Sequence, residues 1–290
     1  MPDKPKCHCG VFGIFASKDA SVNTYYGLHA LQHRGQEAAG IVCADINEKG
    51  KPVFNIHKNL GLVSEVFDQK DIFEKVLSGT SAIGHNRYST TGAADSTKNI
   101  QPFVVNYRLG NIAIAHNGNL TNAHELRERL VNEGAIFQTT SDTEVILHLI
   151  ARSKLENQID QIKEALRQVE GSYSIVILTN DKLIGARDPY GFRPLCIGRL
   201  NGSFIVTSET CALDINSAKY IRDVEPGELV IIDSNTKSEE SIKSINIHDS
   251  KKDVKHCVFE YIYFSRPDSR IFGTNVDKMR RKLGKVLAQK

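Results

Sequence analysis

The sequence predicts an α+β fold in which helices pack over stacked sheets. Three observations predict it: β-branched and aromatic runs crowd the first third of the 290 residues, helical spacing follows, and strand-like runs then return. Such a block order favours segregated helices and sheets over a doubly wound βαβ sheet. With 40% apolar residues the chain can fill a sizeable core.

The run GVFGIF at 10–15 reads as a buried strand entered directly after Cys9. Tyr25, Leu28 and Leu31, behind the caps Ser21 and Asn23, predict a helix that stops near Arg34-Gly35. Strands are expected at 39–44, 53–57, 81–85 and 111–116, each bounded by Gly, Asn or Asp. A helix over 122–132 buries Leu126, Leu130 and Val131 and ends at Gly134. The next opens on the capping-box pattern Ser141-Asp142-Thr143-Glu144 and buries Val145, Ile146, Leu149 and Ile150. An amphipathic stretch over 159–169 leads to strands at 173–179, 183–187, 203–208 and 228–233.

Residues 234–255 are polar with little periodicity, the composition of a linker or an exposed hairpin, and mark a domain boundary. Beyond them, 257–265 reads as a strand, Pro267 as a turn and 276–290 as a helix. That tail is under the roughly 40 residues an unassisted core needs, so it reads as the start of a second domain. The division expected is 1–8, 9–245 and 246–290.

The 37 basic and 34 acidic residues leave a charge of only +3, which demands neither nucleic acid nor a membrane surface. No apolar run approaches the roughly 20 residues of a bilayer span, and MPDKPKCHC lacks a secretory apolar stretch, so a cytosolic protein is expected. The six cysteines, Cys7, Cys9, Cys43, Cys196, Cys211 and Cys257, lack the paired spacing of a disulfide framework.

Cys9 heads a strand with only eight residues before it. Their removal would leave a free α-amine beside the thiol, titrating at about 7.7–8.0 against a thiol near 8.5, so one residue supplies nucleophile and base. A packed thiol, or a metal site of Cys7, His8 and Cys9, are the competing readings. Attack on a carboxamide makes an oxyanion, and His116-Asn117-Gly118-Asn119 offers the Asn117 amide with the Gly118 N–H as its donors; an ordinary Asn-Gly turn is the alternative.

An amino-acid substrate also needs an Arg and an acid. Arg87, in Gly84-His85-Asn86-Arg87-Tyr88-Ser89-Thr90-Thr91-Gly92, suits a carboxylate, with Thr90 among the small hydroxyl residues beside it. Asp142 suits an ammonium, although the helix dipole alone favours an acid there. Arg34, in Gln32-His33-Arg34-Gly35-Gln36, is read as steadying the substrate loop. No phosphate loop, HExxH or serine elbow is present.

Cys9-Gly-Val-Phe-Gly-Ile, His33-Arg-Gly-Gln, Gly84-His-x-Arg-Tyr-Ser-Thr, His116-Asn-Gly-Asn and Ser141-Asp-Thr-Glu, in that order, resemble the class II, N-terminal-nucleophile glutamine amidotransferases. The segments from Arg187 (RDPYGFRPL), Ser208 (SETCA) and Glu260 (EYIYFSRPDS) look like the branch that carries a phosphoribosyltransferase domain, and differ from the hexosamine-forming synthases. The resemblance runs from Cys9 to the last residue.

It implies a four-layer αββα sandwich of two mostly antiparallel sheets, followed by the start of a phosphoribosyltransferase domain. It further implies a propeptide at 1–8, attack by Cys9, an oxyanion hole of Asn117 and Gly118, and a glutamine site of Arg87 and Asp142 with Arg34 and Thr90. The ammonia would pass to phosphoribosylpyrophosphate, with magnesium bound in the missing domain, to give phosphoribosylamine at the head of purine synthesis. Cys257 occupies the position of one ligand of a 4Fe-4S cluster. A homo-oligomer without nucleic-acid or membrane partners is expected. A non-catalytic glutamine-binding regulatory domain and a stand-alone amidase are the alternatives.

Overall fold

The computed structural model describes residues 9–69, 71–88, 97–250 and 252–289. In chain order the main elements are β1 (Gly10–Phe15), α1 (Ala20–Ala30), β2 (Ala38–Ile46), β3 (Pro52–Leu60), α2 (Val63–Val66), β4 (Ser81–Arg87), β5 (Phe103–Tyr107) and β6 (Gly110–Leu120). Then follow α3 (Ala123–Asn132), α4 (Thr143–Arg152), α5 (Gln158–Leu166), β7 (Gly171–Thr179), β8 (Lys182–Arg187), β9 (Cys196–Leu200) and β10 (Ser203–Thr207). The last are α6 (Cys211–Ile215), β11 (Lys219–Asp223), β12 (Glu228–Asp233), β13 (Lys243–Asn246), the short hairpin β14 (Arg270–Ile271) and β15 (Thr274–Asn275), and α7 (Val276–Leu287).

Among the described residues the strands form a seven-stranded sheet, β11-β9-β10-β1-β4-β2-β3, and a six-stranded sheet, β13-β12-β8-β7-β6-β5. The pairings within both are antiparallel. The period-two alternation of a strand sorts their side chains into separate cores. In the first sheet Phe12, Ile14, Ala39 and Ile41 face α1, α2 and α6, while Val11, Val42 and Ile83 face the other sheet. In the second, Ile112, Ile114, Ile175 and Ile177 meet α3, α4 and α5, while Ala113, Ala115, Val176 and Leu178 turn inward. Three apolar layers therefore separate four layers of structure, the αββα sandwich expected. Strands buried on both faces explain why so many read as continuous apolar runs rather than as alternating ones.

Several expectations are corrected. The strand at 111–116 runs on to Leu120, so His116-Asn117-Gly118 lies inside β6 and not in a turn. The Ser141-Asp142-Thr143-Glu144 segment does open α4, with Ser141 Oγ accepting the Thr143 N–H at 3.3 Å, but Glu144 does not close a capping box; it accepts from Gln138 N and Thr139 N, at 2.8 Å each. The expected strand at 257–265 is a turn of π-helix, Glu260–Phe264. Within the polar stretch 234–255, β13 pairs with β12, the exposed-hairpin reading of that segment. Strands β5, β9 and β11 and the short α6 had no strong periodic signal of their own.

Helix α1 crosses the first sheet closely because Gly27 faces the ring of Phe12. A Cβ at Gly27 would stand 2.3 Å from that ring. Gly27→Ala is expected to cost about 1–3 kcal/mol through overpacking, measured by urea unfolding. Unchanged stability would show that the helix does not rest on Phe12.

Candidate active site

Cys9 stands where β1 enters the first sheet, and the register Gly10↔Asn86 sets it beside the end of β4. Its Sγ lies 3.5 Å from both the backbone N and the carbonyl O of Tyr88. One cleft is lined by Cys9, Arg87, Gly118 and Asp142 together with His85, Tyr88, Asn99, Gln101, His116 and Ser141. Four of the residues singled out from sequence, scattered over 134 positions of chain, thus meet at one end of the two sheets.

Asn117 sits between two lining residues, His116 and Gly118, and is wholly buried. Among the described residues neither its Nδ2 nor its Oδ1 has a hydrogen-bond partner. An unsatisfied buried amide costs about 1–3 kcal/mol, which a ligand oxygen can relieve. Gly118 is required by space: a Cβ there would lie 2.0 Å from the carbonyl oxygen of Ser172 and 2.7 Å from His116 Nε2.

Asp142 precedes the first turn of α4 and is 7% exposed. Its Oδ2 accepts the Leu120 N–H at 2.9 Å, while Oδ1 has only longer neighbours, Thr143 Oγ1 at 3.4 Å and Ser141 Oγ at 3.5 Å. Arg87, 5% exposed, is the last residue of β4. A guanidinium and a carboxylate lining one cleft match the two charged ends of a free amino acid.

Two buried histidines complete the wall. His85 Nε2 donates to the carbonyl of His116 at 3.1 Å, a bond between β4 and β6 that ties one sheet to the other. Burial pushes the His85 imidazole down to about 3. It also lowers His116, against the opposing pull of Asp142. Both rings are therefore neutral near pH 7, and His85 is too weak a base to take a thiol proton.

Arg34 is placed differently from the expectation. It does not line the cleft; it is fully buried behind Cys9, and its Nε donates to the Cys9 carbonyl at 2.9 Å. Its Nη1 and Nη2 hold Glu260 bidentately at 2.9 and 2.8 Å, and Nη1 also meets Glu209. Burial alone would lower the guanidinium, but Glu260 and Glu209 outweigh it and hold the charge firmly. Burial works to raise Glu209 too, but Arg34 prevails and brings it to about 2. Arg34 thus steadies the backbone of Cys9 and does not reach the cleft. Thr90 lies outside the described residues.

Cys257 is half-buried, 3.6 Å from Arg193 Nη1. Among the described residues no group of three or more His, Cys, Asp or Glu side chains converges as a metal site. Cys43, Cys196 and Cys211 are buried against the first sheet's helices. A cluster at Cys257 would need its remaining ligands from elsewhere, so these residues alone do not fit one.

Gln101, Thr143, Glu209 and Glu260 were not singled out from sequence. Thr143 and the two glutamates lie in quoted motifs, yet nothing local marks the threonine as a partner of His116 or the glutamates as buried ligands of Arg34. Gln101 carries no signal beyond the proline after it.

Residues 85–214 match the family model described as a glutamine amidotransferase domain. The chain is 50% identical to the amidophosphoribosyltransferase of Bacillus subtilis (strain 168), over 97% of this chain and 56% of that protein. It is 45% identical to that of Methanocaldococcus jannaschii, over 97% of this chain and 61% of that protein. A solved glutamine phosphoribosylpyrophosphate amidotransferase from B. subtilis, complexed with ADP and GMP, superposes with a TM-score of 0.87 at 47% identity, covering 97% of this chain and 58% of that one. The chain spans a little over half the length of the relatives it matches. Among the described residues no helix is long and apolar enough to cross a membrane.

Two measurements check this geometry. Arg34→Met would strand two carboxylates in the interior and is expected to cost about 3–5 kcal/mol of stability, read by urea unfolding. His85 binds a proton more weakly folded, near 3, than unfolded, near 6.5. Stability should therefore fall as pH drops from about 6.5 toward 4.5, by up to about 1.4 kcal/mol per unit for such a group. Glu209, near 4.5 unfolded and about 2 folded, adds a fall of its own below about pH 5, so the His85 slope is read above that. His85→Gln keeps the Nε2 donor and should flatten the slope there; an unchanged slope would mean that His85 does not carry it.

Proposed function

Since the chain belongs to the class II glutamine amidotransferases, we propose that it is a glutaminase working through a thioester on Cys9. The observation that carries this reading is the meeting, in one cleft, of a thiol, a guanidinium and a carboxylate, with the buried Asn117 amide, unpartnered among the described residues, between two residues that line it.

Removal of residues 1–8 frees the Cys9 α-amine, which takes the thiol proton because no imidazole in the wall is basic enough to compete. Arg87 holds the α-carboxylate of glutamine and Asp142 its α-ammonium, which aims the side-chain amide at Sγ. Attack forms the C–S bond and puts negative charge on the amide oxygen, where the Asn117 Nδ2 and the Gly118 N–H receive it. The amine then returns its proton to the departing nitrogen, ammonia leaves, and water cleaves the thioester to glutamate, restoring the thiol.

The relatives' name adds a phosphoribosyl transfer, and we infer that the ammonia made here serves it: residues 246–290 begin a second domain where ammonia displaces pyrophosphate from phosphoribosylpyrophosphate. The magnesium of that step would be held there. Val258, Ile262, Tyr263 and Leu287, between 50% and 75% exposed, form apolar surface such a domain would cover. We further infer a cytosolic homo-oligomer.

The test is intact mass together with glutamate release. Active protein is expected to begin at Cys9 and to lose turnover in Cys9→Ala, and a glutamine-like chloroketone should label the thiol. Asn117→Ala should lower kcat about 10²–10³-fold, the loss of one oxyanion donor, with little change in KM. Turnover that survives Cys9→Ala would refute the thioester. Glutamine binding with residues 1–8 retained and no glutamate formed would identify a regulatory binding domain instead.

A further inference from the structure

In the wall of the cleft Gln101 and His116, with Thr143 beneath them, form a closed hydrogen-bonded ring. Gln101 Oε1 accepts the backbone N–H of His116 at 2.7 Å, Gln101 Nε2 donates to Thr143 Oγ1 at 3.2 Å, and Thr143 Oγ1 lies 3.0 Å from His116 Nδ1. Gln101 is 7% exposed, His116 2% and Thr143 fully buried, so water does not substitute for any member.

Proton counting fixes the direction of each bond. The His116 backbone can only donate, so the Gln101 carbonyl must face it and the Gln101 NH₂ must face Thr143. Thr143 thereby receives one proton and has one to give, either to His116 Nδ1 or to Asp142 Oδ1, 3.4 Å away. His116 Nε2 faces the Ser172 carbonyl at 3.4 Å and must carry a hydrogen there. In the neutral ring Nδ1 is then bare, and the Thr143 proton goes to it.

The consequence lies in Asp142. Its Oδ1 is only 3.9 Å from His116 Nδ1. Were Nδ1 protonated, the imidazolium would pair with the carboxylate and occupy the charge meant for the substrate. We propose that Gln101 and Thr143 are positioning residues that hold His116 neutral, with its Nδ1 as acceptor, so that the Asp142 carboxylate stays free for the substrate ammonium. The same ring anchors the backbone of β6 one residue before Asn117. The inference rests on the glutamine-binding role proposed for Asp142. The other charged and titratable groups that face this ring are Arg87 and the neutral His85 in the same cleft wall, and Arg127 on α3, which feels the charge of Asp142 and whose Nη2 donates to the Ser141 carbonyl at 2.7 Å.

Thr143→Val removes the hydroxyl at nearly constant volume, leaving Nδ1 open to protonation beside Asp142. The ratio of variant to parent KM for glutamine should be about 10-fold or more at pH 6, the worth of a charge-assisted hydrogen bond, and fall below about 3-fold at pH 8.5 as the imidazolium discharges. Gln101→Glu turns the Thr143 proton toward the introduced carboxylate and should show the same pH signature. Thr143→Ser keeps the hydroxyl and should restore a pH-independent ratio. The imidazole resonances of His116 should titrate toward neutral pH in Thr143→Val and stay low in the parent and in Thr143→Ser. A ratio that does not change with pH, or a His116 that titrates as in the parent, would overturn the proposal. Asp142→Asn separates the two layers: if it leaves KM unchanged, the glutamine-binding reading itself fails, whereas a large rise there with a pH-flat Thr143→Val condemns the ring alone.

Discussion

An arginine cannot be taken out of water unless acceptors come with it, and that constraint organises the molecule around Arg34. Its guanidinium gathers Glu209, from the end of the first sheet, and Glu260, from the C-terminal segment, and its Nε holds the carbonyl of Cys9. Three distant stretches of chain are thereby bound to one cation. Ser265 Oγ and Ser269 Oγ complete the carboxylates at 2.7 Å each, and the Arg266 N–H reaches Glu209 at 2.9 Å. Because the carbonyl held there is that of Cys9, any shift of 260–269 is felt at the backbone of Cys9.

The sandwich supplies the rest of the geometry. Two antiparallel sheets facing each other across small and β-branched side chains bring the ends of β1, β4 and β6 together, and the His85 to His116 bond pins them there. Cys9 and Arg87 come from the first sheet, Asn117 and Gly118 from the second, and Asp142 from the helix laid over it. Catalytic groups set on strands and on a helix start are held more rigidly than groups on loops. The cleft's wall is polar but almost without mobile charge: its histidines are neutral, and the charged ends are the guanidinium and carboxylate that match an amino acid.

Much of this was legible in residue pattern. The block order of strands and helices gave the layering, and the short motifs located Cys9, Arg87, Asn117, Gly118 and Asp142, four of which line one cleft with Asn117 between two lining residues. Errors arose where one residue type serves two physical ends. Asn-Gly favours turns, yet here the glycine admits the Ser172 carbonyl within a strand. Ser141-Asp142-Thr143-Glu144 fits a capping box, yet only Ser141 caps the helix, while Asp142, Thr143 and Glu144 answer to Leu120, His116 and residues 138–139. The aromatic run at 260–264 has strand composition, but the pull of Glu260 toward Arg34 coincides with a helical turn.

Residue types and their order established which chemistries were present, because thiol, amide, guanidinium and carboxylate are properties of residue types, and because apolar periodicity reports burial locally. That Arg34 holds the Cys9 backbone and stays out of the cleft, and that Gln101 and Thr143 hold His116 beside Asp142, emerges from the folded arrangement alone. Those assignments depend on which partners arrive from far along the chain. A buried polar group takes its role from the atoms that satisfy it, and no local spacing records them.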